Sequence, residues 1–595
     1  MINRGKAFIG NGRHRAWAWL ACVLCMSHAL ASEPPNIVLI VADDIGYSDF
    51  GAFGGEIDTP NIDALARAGV RFSNFHAASS CAPTRAMLLT GVDNHRAGVG
   101  SMRELMPLSH RGEPGYDGVL NESVQTIASM MQASGYRTWV AGKWHLGIED
   151  SNLPPARGFD GSVIQADSGS DNFEMRPYLP MYPEARWFEN GRRMQSLPED
   201  FYSSRYFVDW TIAFLEATRA EGKPFFAYLA FQANHLPLQA PAEFIDAYRG
   251  HYTQGWAKVR EARIQKIREL DLFETPATFA AGPAQDEWDG LTEQQQYFEA
   301  RRMQAYAGMA TAMDYEIGRL ITYLRDSGQY QNTVFVLFSD NGATATEPYD
   351  NAYGRRWLES NYHRETETLG EKGSWVAAGS HWGRVSNTPL AGTKFSSGEG
   401  GVRVPLIVSG LSSAAQGAVN REFTYITDLA PTLLEIAGIE SPQVVPAAQT
   451  MTGRSLLPMM TAAAPAPYRS DEALGYEFSG NSALYQGDYK LVRNQPPAGD
   501  RQWRLYKIDE DPGETTDLRE RMPDLYQNML AEYDAYASEN GVLPMPENYS
   551  VAKQVMINTI VFSLLPKYLP YVGLALVLVL AVYFYRRSGR RTHKR

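Results

Sequence analysis

Oxygen-donor side chains follow two predicted strands at the point where each strand ends. Asp43 and Asp44 come directly after an unbroken apolar run, Asn36–Ala42, and Asp340 and Asn341 follow a second such run. Ligands of open α/β sheets bind beyond the carboxyl ends of the strands. Three carboxylates and an amide carbonyl, with no neighbouring pair of His or Cys, favour Ca²⁺ or Mg²⁺ over Zn²⁺. Solvated turn residues or helix caps are the alternative interpretation of such pairs.

Cys81 is the one cysteine that the mature chain is predicted to keep, because the other two, Cys22 and Cys25, fall in a predicted export signal. No intramolecular disulfide is then expected. A lone thiol in an exported protein is either a packing residue or a residue kept for chemistry. It opens the stretch Cys81-Ala82-Pro83-Thr84-Arg85, which Thr90-Gly91 follows closely.

This stretch resembles the signature of the type I, formylglycine-dependent sulfatases of the alkaline phosphatase superfamily. Five further family motifs occur in the same order: Pro35-Asn36-Ile37-Val38 before Asp43-Asp44, Gly142-Lys143-Trp144-His145-Leu146-Gly147, Asn234-His235-Leu236-Pro237, Ser339-Asp340-Asn341-Gly342, and Lys394 before Glu399-Gly400-Gly401-Val402-Arg403-Val404-Pro405. The resemblance covers about residues 35–541 and has the character of bacterial arylsulfatases. Thr84 stands where many family members have Ser, and the family tolerates both.

The resemblance implies a nucleophile and a metal site. In the family, a separate formylglycine-generating enzyme oxidises the motif cysteine, here Cys81, to formylglycine (3-oxoalanine). One hydroxyl of the hydrated aldehyde attacks sulfur, and the second expels sulfate. Ca²⁺, with Mg²⁺ as the alternative, would be held by residue 81 together with the four strand-end residues: Asp43, Asp44, Asp340 and Asn341.

The resemblance also implies roles for five polar residues. Lys143 and Lys394 would neutralise the charge that grows on the transferred group. Arg85 would hold the hydrate, and His145 would take the proton that releases sulfate. His235 with Lys394 would protonate the leaving oxygen. Taken singly, each is more often a surface, turn or packing residue, and only the ordered motifs favour the catalytic interpretation.

Two further segments carry predictions. Residues 342–393 form a long polar connection of the kind that lines substrate sites, and His363, His381 and Trp382 are its candidate substrate contacts, with surface residues as the alternative. For Glu399-Gly400-Gly401 the structural interpretation is preferred: the glycines permit close backbone approach, and Glu399 makes a local hydrogen bond or ion pair.

Alternating strand and helix patterns predict an α/β fold. Strands are expected at Asn36–Ala42 and at residues 136–141, 225–231, 333–338 and 404–409, and Thr292 with Gln295 forms a capping box that opens a helix reaching about Gly328. The expected architecture is a large mixed, mostly parallel sheet sandwiched by helices, alkaline phosphatase-like, over residues 33–472. Short antiparallel strands and a helix predict a small α+β subdomain over residues 473–545.

The two ends of the chain predict export and anchoring. Basic residues followed by a short apolar run and Ala29-Leu30-Ala31 indicate a signal peptide at residues 1–31, with an uncleaved anchor as the alternative. After a juxtamembrane segment at 546–568, the apolar run 569–585 is long enough for a transmembrane helix, and the tail 586–595 is basic. A buried core helix is the alternative. The prediction is an inner-membrane protein with a periplasmic catalytic domain and a cytoplasmic tail.

Charge and motif chemistry separate the competing functions. The formal charge of −12 argues against a nucleic-acid partner. Two-zinc phosphatases of the same superfamily place His where this chain has Asn341, and Ser or Thr where it has Cys81. A formylglycine-dependent phosphonate or phosphate diester hydrolase uses the same parts and stays open, as does a non-catalytic, membrane-tethered binding protein on the same scaffold.

Overall fold

The structure is a computed structural model that describes Met1 and residues 33–348, 351–412, 414–440, 448–461 and 466–592. The predicted signal peptide, with Cys22 and Cys25, lies outside the described residues, apart from Met1. The end of the basic tail also lies outside them.

A mixed, mostly parallel sheet of eleven strands organises the described residues, in the order β10-β2-β9-β8-β1-β7-β3-β4-β5-β6 with β11 beside β2. Its strands are β1 Asn36–Ala42, β2 Val70–His76, β3 Arg137–Lys143, β4 Gly161–Gln165, β5 Trp187–Glu189, β6 Arg192–Arg193, β7 Phe225–Ala230, β8 Thr333–Ser339, β9 Arg403–Ser409, β10 Ala418–Asn420 and β11 Thr424–Tyr425. The central strands β8, β1, β7 and β3 are parallel to one another, and β9 runs antiparallel between β8 and β2.

Both faces of the sheet are buried, which explains the unbroken apolar runs in its strands. Along β1, Ile37, Leu39 and Val41 point into one apolar cluster, and the intervening residues point into the other. A strand buried on one face only would alternate apolar and polar residues. The strand positions predicted from the sequence are confirmed to within two residues at each end.

Helices cover both faces. The helices are α1 Pro60–Ala68, α2 Cys81–Thr90, α3 Ile127–Ala133, α4 Ser203–Thr218, α5 Ala242–Asp246, α6 Trp256–Glu269, α7 Gln285–Asp289, α8 Glu293–Asp326, α9 Ala352–Asn361, α10 Gly379–Ser386, α11 Glu399–Val402, α12 Leu429–Ile436, α13 Leu457–Thr461, α14 Pro523–Asn540, α15 Val551–Thr559 and α16 Leu565–Thr592. Helices α2, α3 and α12 pack on one face, and α1, α4 and α8 on the other. The predicted capping box of Thr292 and Gln295 opens α8.

A second sheet follows the first. Strands β12 Ala473–Phe478, β13 Asn481–Gln486, β14 Tyr489–Arg493 and β15 Arg504–Lys507 pair antiparallel in sequence order. Helix α14 packs on this sheet through Met529 and Tyr533. The domain boundaries predicted from the sequence stay predictions.

The chain ends in a long apolar helix. Helix α15 continues through a π-helical turn, Ile560–Leu564, into α16, which contains the predicted apolar run 569–585. Among the described residues, this is the one helix long and apolar enough to cross a membrane, by length and composition.

Candidate active site

The sheet brings the strand-end residues together. Strands β1 and β8 are parallel neighbours with Ala42 beside Ser339, so the residues that follow them emerge at the same edge. The amide of Asp44 donates a long hydrogen bond of 3.4 Å to Oδ1 of Asp340. Cys81 is the first residue of helix α2 and faces the same edge.

Cys81 is enclosed by charged groups and is 1% exposed. Its Sγ lies 3.1 Å from Nζ of Lys394, 3.4 Å from Oδ1 of Asp43 and 4.0 Å from Oδ1 of Asp44. Burial and the carboxylate of Asp340 raise the pKa of the thiol well above its ordinary value, against the opposing effect of the lysines. The unmodified residue is therefore a neutral thiol rather than a thiolate nucleophile.

Each cation of the site pairs with a carboxylate. Nζ of Lys143 lies 2.6 Å from Oδ2 of Asp43, and Nζ of Lys394 lies 2.7 Å from Oδ1 of Asp44. Burial acts to raise the pKa of Asp44, but Lys394 and its cationic neighbours outweigh burial and lower it to about 2. The pKa of Asp340 is raised by burial and by the nearby Asp43 carboxylate.

The arrangement fits a hard cation. One ligand atom from each of Asp43, Asp44, Cys81 and His235 lies within 4.8 Å of the others. Oδ2 of Asp44 and Oδ1 of Asn341 are buried with no hydrogen-bond partner. Unpaired buried oxygens are costly unless something binds them, and carboxylate and amide oxygens are what Ca²⁺ and Mg²⁺ prefer.

The cluster includes one histidine. His235, which the resemblance implies as a proton donor, lies among the carboxylates and Cys81. Residues 225–230 form β7, the parallel neighbour of β1, so the segment that follows β7 leaves the sheet at the same edge. A single imidazole among carboxylates does not change the preference for a hard cation.

His235 is buried against an aromatic wall. Its Nδ1 lies 2.7 Å from the carbonyl oxygen of Leu236, and its ring makes an edge contact with Tyr178 at 5.3 Å between centroids. Burial, then Lys143 and Lys394, hold the pKa of His235 well below its ordinary value. The imidazole is therefore neutral around pH 7 in the absence of an anion.

His145 faces a carboxylate that the sequence did not single out. Its Nε2 lies 3.9 Å from Oε2 of Glu104, and the hydroxyl of Tyr182 donates to Oε1 of Glu104 at 2.9 Å. Burial lowers the pKa of His145, and Glu104 opposes this. Nothing in the sequence around Glu104 marks it, because it lies on an irregular segment and meets His145 only in the folded chain.

Arg85 contacts the carboxylate that follows β8. Its Nε and Nη2 donate to Oδ2 of Asp340 at 3.0 and 2.7 Å, and its Nη1 donates to the carbonyl of Lys143 at 2.9 Å. The guanidinium is fully buried. It holds the end of β8 against helix α2, and its predicted contact with a hydrated residue 81 stays a prediction.

The candidate substrate contacts of residues 342–393 lie in ordinary packing environments. Trp382 is fully buried and donates its Nε1–H to the carbonyl of Glu299, so its prediction as a substrate contact is wrong. His381 stacks on Trp256 with centroids 4.1 Å apart. His363 pairs with Glu365 at 2.7 Å and is partly exposed.

Glu399 ties the large sheet to the small one. Its carboxylate lies 2.8 Å from Nζ of Lys490 on β14 and 3.0 Å from Nε2 of His76 on β2. The structural interpretation of this residue agrees with these contacts. A glycine is needed two residues further on, because a Cβ on Gly401 would fall 2.0 Å from the carbonyl oxygen of Ser396.

Comparison with known proteins gives consistent results along nearly all of the chain. Residues 35–439 match the family model described as sulfatase, and residues 394–534 match the model of the C-terminal part of N-sulphoglucosamine sulphohydrolase. An uncharacterized sulfatase of Schizosaccharomyces pombe is 34% identical over 88% of this chain and 97% of its own length. An arylsulfatase of Klebsiella aerogenes is 37% identical over 75% of this chain and 96% of its own.

Solved structures show the same fold at lower identity. A protein crystallised with k-i-k-neocarrahexaose superimposes with a TM-score of 0.62 at 23% identity, covering 89% of this chain and 98% of that one. A phosphonate monoester hydrolase of Silicibacter pomeroyi gives a TM-score of 0.53 at 20% identity, covering 85% and 96%.

Proposed function

Because the chain belongs to the sulfatase family, we propose that it hydrolyses sulfate monoesters with residue 81, converted to formylglycine, as nucleophile and Ca²⁺ as cofactor. The observation that carries the proposal is the position of Cys81, whose Sγ lies within 4.0 Å of two carboxylates and one ammonium. Such a position is poor for a thiolate and well suited to a hydrated aldehyde, which offers two hard oxygens.

The proposed cation ligands are the carboxylates of Asp43, Asp44 and Asp340, the amide oxygen of Asn341, and residue 81. The buried, unpaired oxygens of Asp44 and Asn341 support this assignment. A bound Ca²⁺ would act as a Lewis acid towards the sulfate oxygens. Mg²⁺ is the alternative, and it demands a stricter octahedral geometry.

The first step is transfer of the sulfuryl group. One hydroxyl of the residue 81 hydrate gives its proton to the carboxylate of Asp43, whose Oδ1 lies 3.4 Å from Sγ of the unmodified residue, and attacks sulfur as the sulfur–oxygen bond of the ester breaks. The alcohol oxygen takes a proton from His235 assisted by Lys394. Binding of an anionic ester offsets the two ammoniums near His235 and raises its pKa towards the ordinary value, which favours the protonated form. Lys143 and Lys394 stabilise the charge on the transferred group.

The second step releases sulfate without attack by water at sulfur. His145 takes the proton of the remaining hydroxyl, the carbon–oxygen bond to sulfate breaks, and the aldehyde of residue 81 forms again. Addition of water restores the hydrate. Glu104, facing His145 at 3.9 Å, stabilises the imidazolium that this step creates.

Two apolar segments, one near each end of the chain, support a proposal for the location of the enzyme. We propose export by the N-terminal segment and anchoring in the inner membrane by residues 569–585. The basic residues after this run would stay in the cytoplasm, which leaves the catalytic domain in the periplasm.

One experiment tests the nucleophile and the reaction together. Protein purified from its native host is digested, and the peptide that contains residue 81 is weighed by mass spectrometry, alongside assays of 4-nitrophenyl sulfate and of an aryl phosphate diester. We expect formylglycine at residue 81 and a preference for the sulfate. An unmodified thiol would favour a non-catalytic binding protein, and a strong diester preference would favour a phosphonate or phosphate diester hydrolase.

Removal of the metal is a separate test. Chelation should abolish sulfate release and lower the melting temperature, because a bound cation stabilises the folded chain and its removal leaves Oδ2 of Asp44 and Oδ1 of Asn341 buried without a partner. Calcium should restore both more fully than magnesium. Full activity and an unchanged melting temperature after chelation would remove the cation from the proposal.

A further inference from the structure

Lys394 and Cys81 are carried by two irregular segments that contact each other behind the site. Phe395 directly follows Lys394, and its amide donates to the carbonyl of Ser79 at 2.8 Å. Ser79 in turn precedes Cys81 by two residues. The amide of Lys394 itself donates to the carbonyl of Ala343 at 3.1 Å. The distance of 3.1 Å between Nζ of Lys394 and Sγ of Cys81 therefore depends on where these two backbones are held.

The backbone around Lys394 has a conformation that needs support. We call residues 394–399 the lysine segment. Within it, Phe395 has a φ of 67°, in the left-handed region that residues with a Cβ rarely adopt. Such conformations persist only where the surrounding structure overdetermines them. Helix α11 begins at Glu399, so the residues before it lack the repeated hydrogen bonds of a helix or a strand.

The small sheet supplies acceptors for the amides of the lysine segment. Oδ1 of Asn494, the residue after β14, accepts from the amide of Ser397 at 2.7 Å. Oε2 of Glu514 accepts from the amide of Glu399 at 3.1 Å. Nζ of Lys490 on β14 lies 2.8 Å from Oε1 of Glu399. The far end of the lysine segment is therefore fastened to the small sheet.

The turn that carries Glu514 is itself fixed on both sides. The carboxylate of Asp511 accepts from the amide of Thr515 at 2.9 Å. The amide of Gly513 donates to the carbonyl of Thr278 at 3.0 Å. The acceptor that Glu514 offers to the lysine segment is thus held in place before any substrate binds.

The small sheet also holds the segment that carries Cys81. The hydroxyl oxygen of Tyr476 on β12 accepts from the amide of Ser79 at 2.7 Å and lies 2.8 Å from Oγ of the same residue. Both residues are almost completely buried. Because Ser79 also accepts from Phe395, a shift of Ser79 would move the nucleophile and the lysine segment together.

We propose that Tyr476 and Asn494 are positioning residues of the catalytic site. By fixing the backbones before residue 81 and after Lys394, they set the distance between Nζ of Lys394 and the nucleophile. The small sheet thus completes a site whose other residues follow strands of the large sheet. The inference rests on the proposed function, in which Lys394 assists the leaving oxygen, and the experiments below separate the failure of one from the failure of the other.

The basicity of the leaving group reveals the position of Lys394. 4-Nitrophenolate leaves readily without a proton, whereas phenolate is the stronger base and depends more on proton donation. A displaced Lys394 therefore slows phenyl sulfate more than 4-nitrophenyl sulfate. A general loss of folded enzyme lowers both rates by the same factor. The quantity to compare is kcat/KM, which measures stabilisation of the transition state of sulfuryl transfer.

The first experiment uses the full chain, solubilised in detergent, with Tyr476→Phe. This change removes the hydroxyl and keeps the ring, so the buried amide of Ser79 loses its acceptor. Tyr136→Phe is the matched control, because the two tyrosines are 2% and 3% exposed. The hydroxyl of Tyr136 donates to the carbonyl of Pro35, before β1 and at the opposite edge of the sheet. Mass spectrometry measures the formylglycine content, and rates are expressed per modified chain.

We expect Tyr476→Phe to lower kcat/KM about tenfold more for phenyl sulfate than for 4-nitrophenyl sulfate, since a misplacement of about 1 Å can cost about a hundredfold. Tyr136→Phe should leave both values unchanged. Equal losses on the two substrates in Tyr476→Phe, or no loss, would overturn the inference and leave the proposed function standing. Turnover of neither substrate by the wild-type chain would overturn the proposed function, and the inference with it.

The second experiment removes the acceptor on the other side of the clamp. Asn494→Leu should give the same selective loss on phenyl sulfate. Asn494→Asp should behave as the wild type, because it keeps an oxygen acceptor for the amide of Ser397. Asn420→Leu is the control: Asn420 is half-buried, as Asn494 is, and its Oδ1 accepts from the amide of Glu422 at 3.0 Å, on an edge strand of the large sheet. Wild-type kinetics in Asn494→Leu, or an equal selective loss in Asn420→Leu, would contradict the role of Asn494.

Discussion

At the scale of single residues, the site is a set of opposite charges taken out of water. Arg85, Lys143 and Lys394 neutralise Asp340, Asp43 and Asp44, and all six side chains are almost completely buried. Each buried charge is tolerable only because its partner is present. The arrangement is therefore stable as a unit and sensitive to the loss of any one member.

Arg85→Ala should lower the free energy of unfolding by about 3–5 kcal/mol, because it leaves the Asp340 carboxylate buried without its bidentate partner. Urea unfolding of the detergent-solubilised chain, followed by tryptophan fluorescence, measures this loss. Arg504→Ala is the control: its pair with Asp500 is 34% and 55% exposed, and solvent screening should make its loss far smaller than that of Arg85→Ala. Similar losses in both variants would contradict the argument.

Glu104→Gln should reduce kcat and move the acid limb of the pH–rate profile to lower pH. The Glu104 carboxylate opposes the effect of burial on the pKa of His145, so its removal lowers that pKa further. The isosteric amide keeps the size of the side chain. Glu149→Gln is the control, because Glu149 is the exposed partner of Arg103, and it should leave the pH–rate profile in place. An unmoved profile in Glu104→Gln would show that Glu104 does not influence the pKa of His145.

At the scale of elements, the order of the strands decides which residues meet. Strands β8, β1, β7 and β3 are adjacent and parallel, so the residues that follow them share one edge although they are distant in sequence. Helix α2 supplies Cys81 to that edge. Helix α15 acts from further away. Nδ2 of Asn558 donates to the carbonyls of Arg103, Glu104 and Met106, and these bonds fix the loop 103–111 that carries Glu104.

Asn558→Ala should lower kcat/KM for 4-nitrophenyl sulfate by about tenfold, because the loop 103–111 loses three hydrogen bonds and Glu104 loses its fixed position. Asn540→Ala, which removes a bond to the carbonyl of Tyr536 in helix α14, is the matched control. We expect little change in the control. Wild-type kinetics in Asn558→Ala would show that α15 does not position the site.

At the scale of the whole molecule, buried polar links join the two sheets. His95 lies between two carboxylates. Its Nδ1 is 3.2 Å from Oδ1 of Asp93, and its Nε2 is 2.7 Å from Oε2 of Glu477 on β12. Tyr536 of α14 donates to Asp93, and the ring of Tyr116 packs against His95. Burial would lower the pKa of His95, but these carboxylates outweigh burial and raise it to about 9.

The raised pKa of His95 predicts a pH dependence of stability. The pKa of His95 is near 6.5 in the unfolded chain and higher in the folded chain. The folded chain therefore binds the proton more tightly, and this stabilises the folded state fully below pH 6.5. That contribution, about 3 kcal/mol, is lost as the pH rises through 9. Melting temperatures between pH 6 and 10 should fall less steeply in His95→Gln than in the wild type, whereas the exposed His251→Gln should follow the wild type. Parallel curves for wild type and His95→Gln would contradict the assignment.

The sequence by itself determined the fold class, the family and the proposed nucleophile. Apolar runs without alternation indicated strands buried on both faces, and the ordered motifs around Cys81 carried the likeness to sulfatases. These features are local, because a strand or a sequence signature consists of residues that are close together along the chain. Six strands of the large sheet escaped prediction: β2, β4, β5, β6, β10 and β11. Four of these, β5, β6, β10 and β11, have only two or three residues, which carry too little periodicity.

Only the tertiary structure decided which side chains meet. It brought His235 into the carboxylate cluster, placed Glu104 against His145, buried Trp382 and fastened α15 to the rim of the site. Each of these contacts joins residues far apart in the chain, and each depends on strand order and on irregular loops. Periodicity and spacing describe neighbours along the sequence, so they contain no information on those distances.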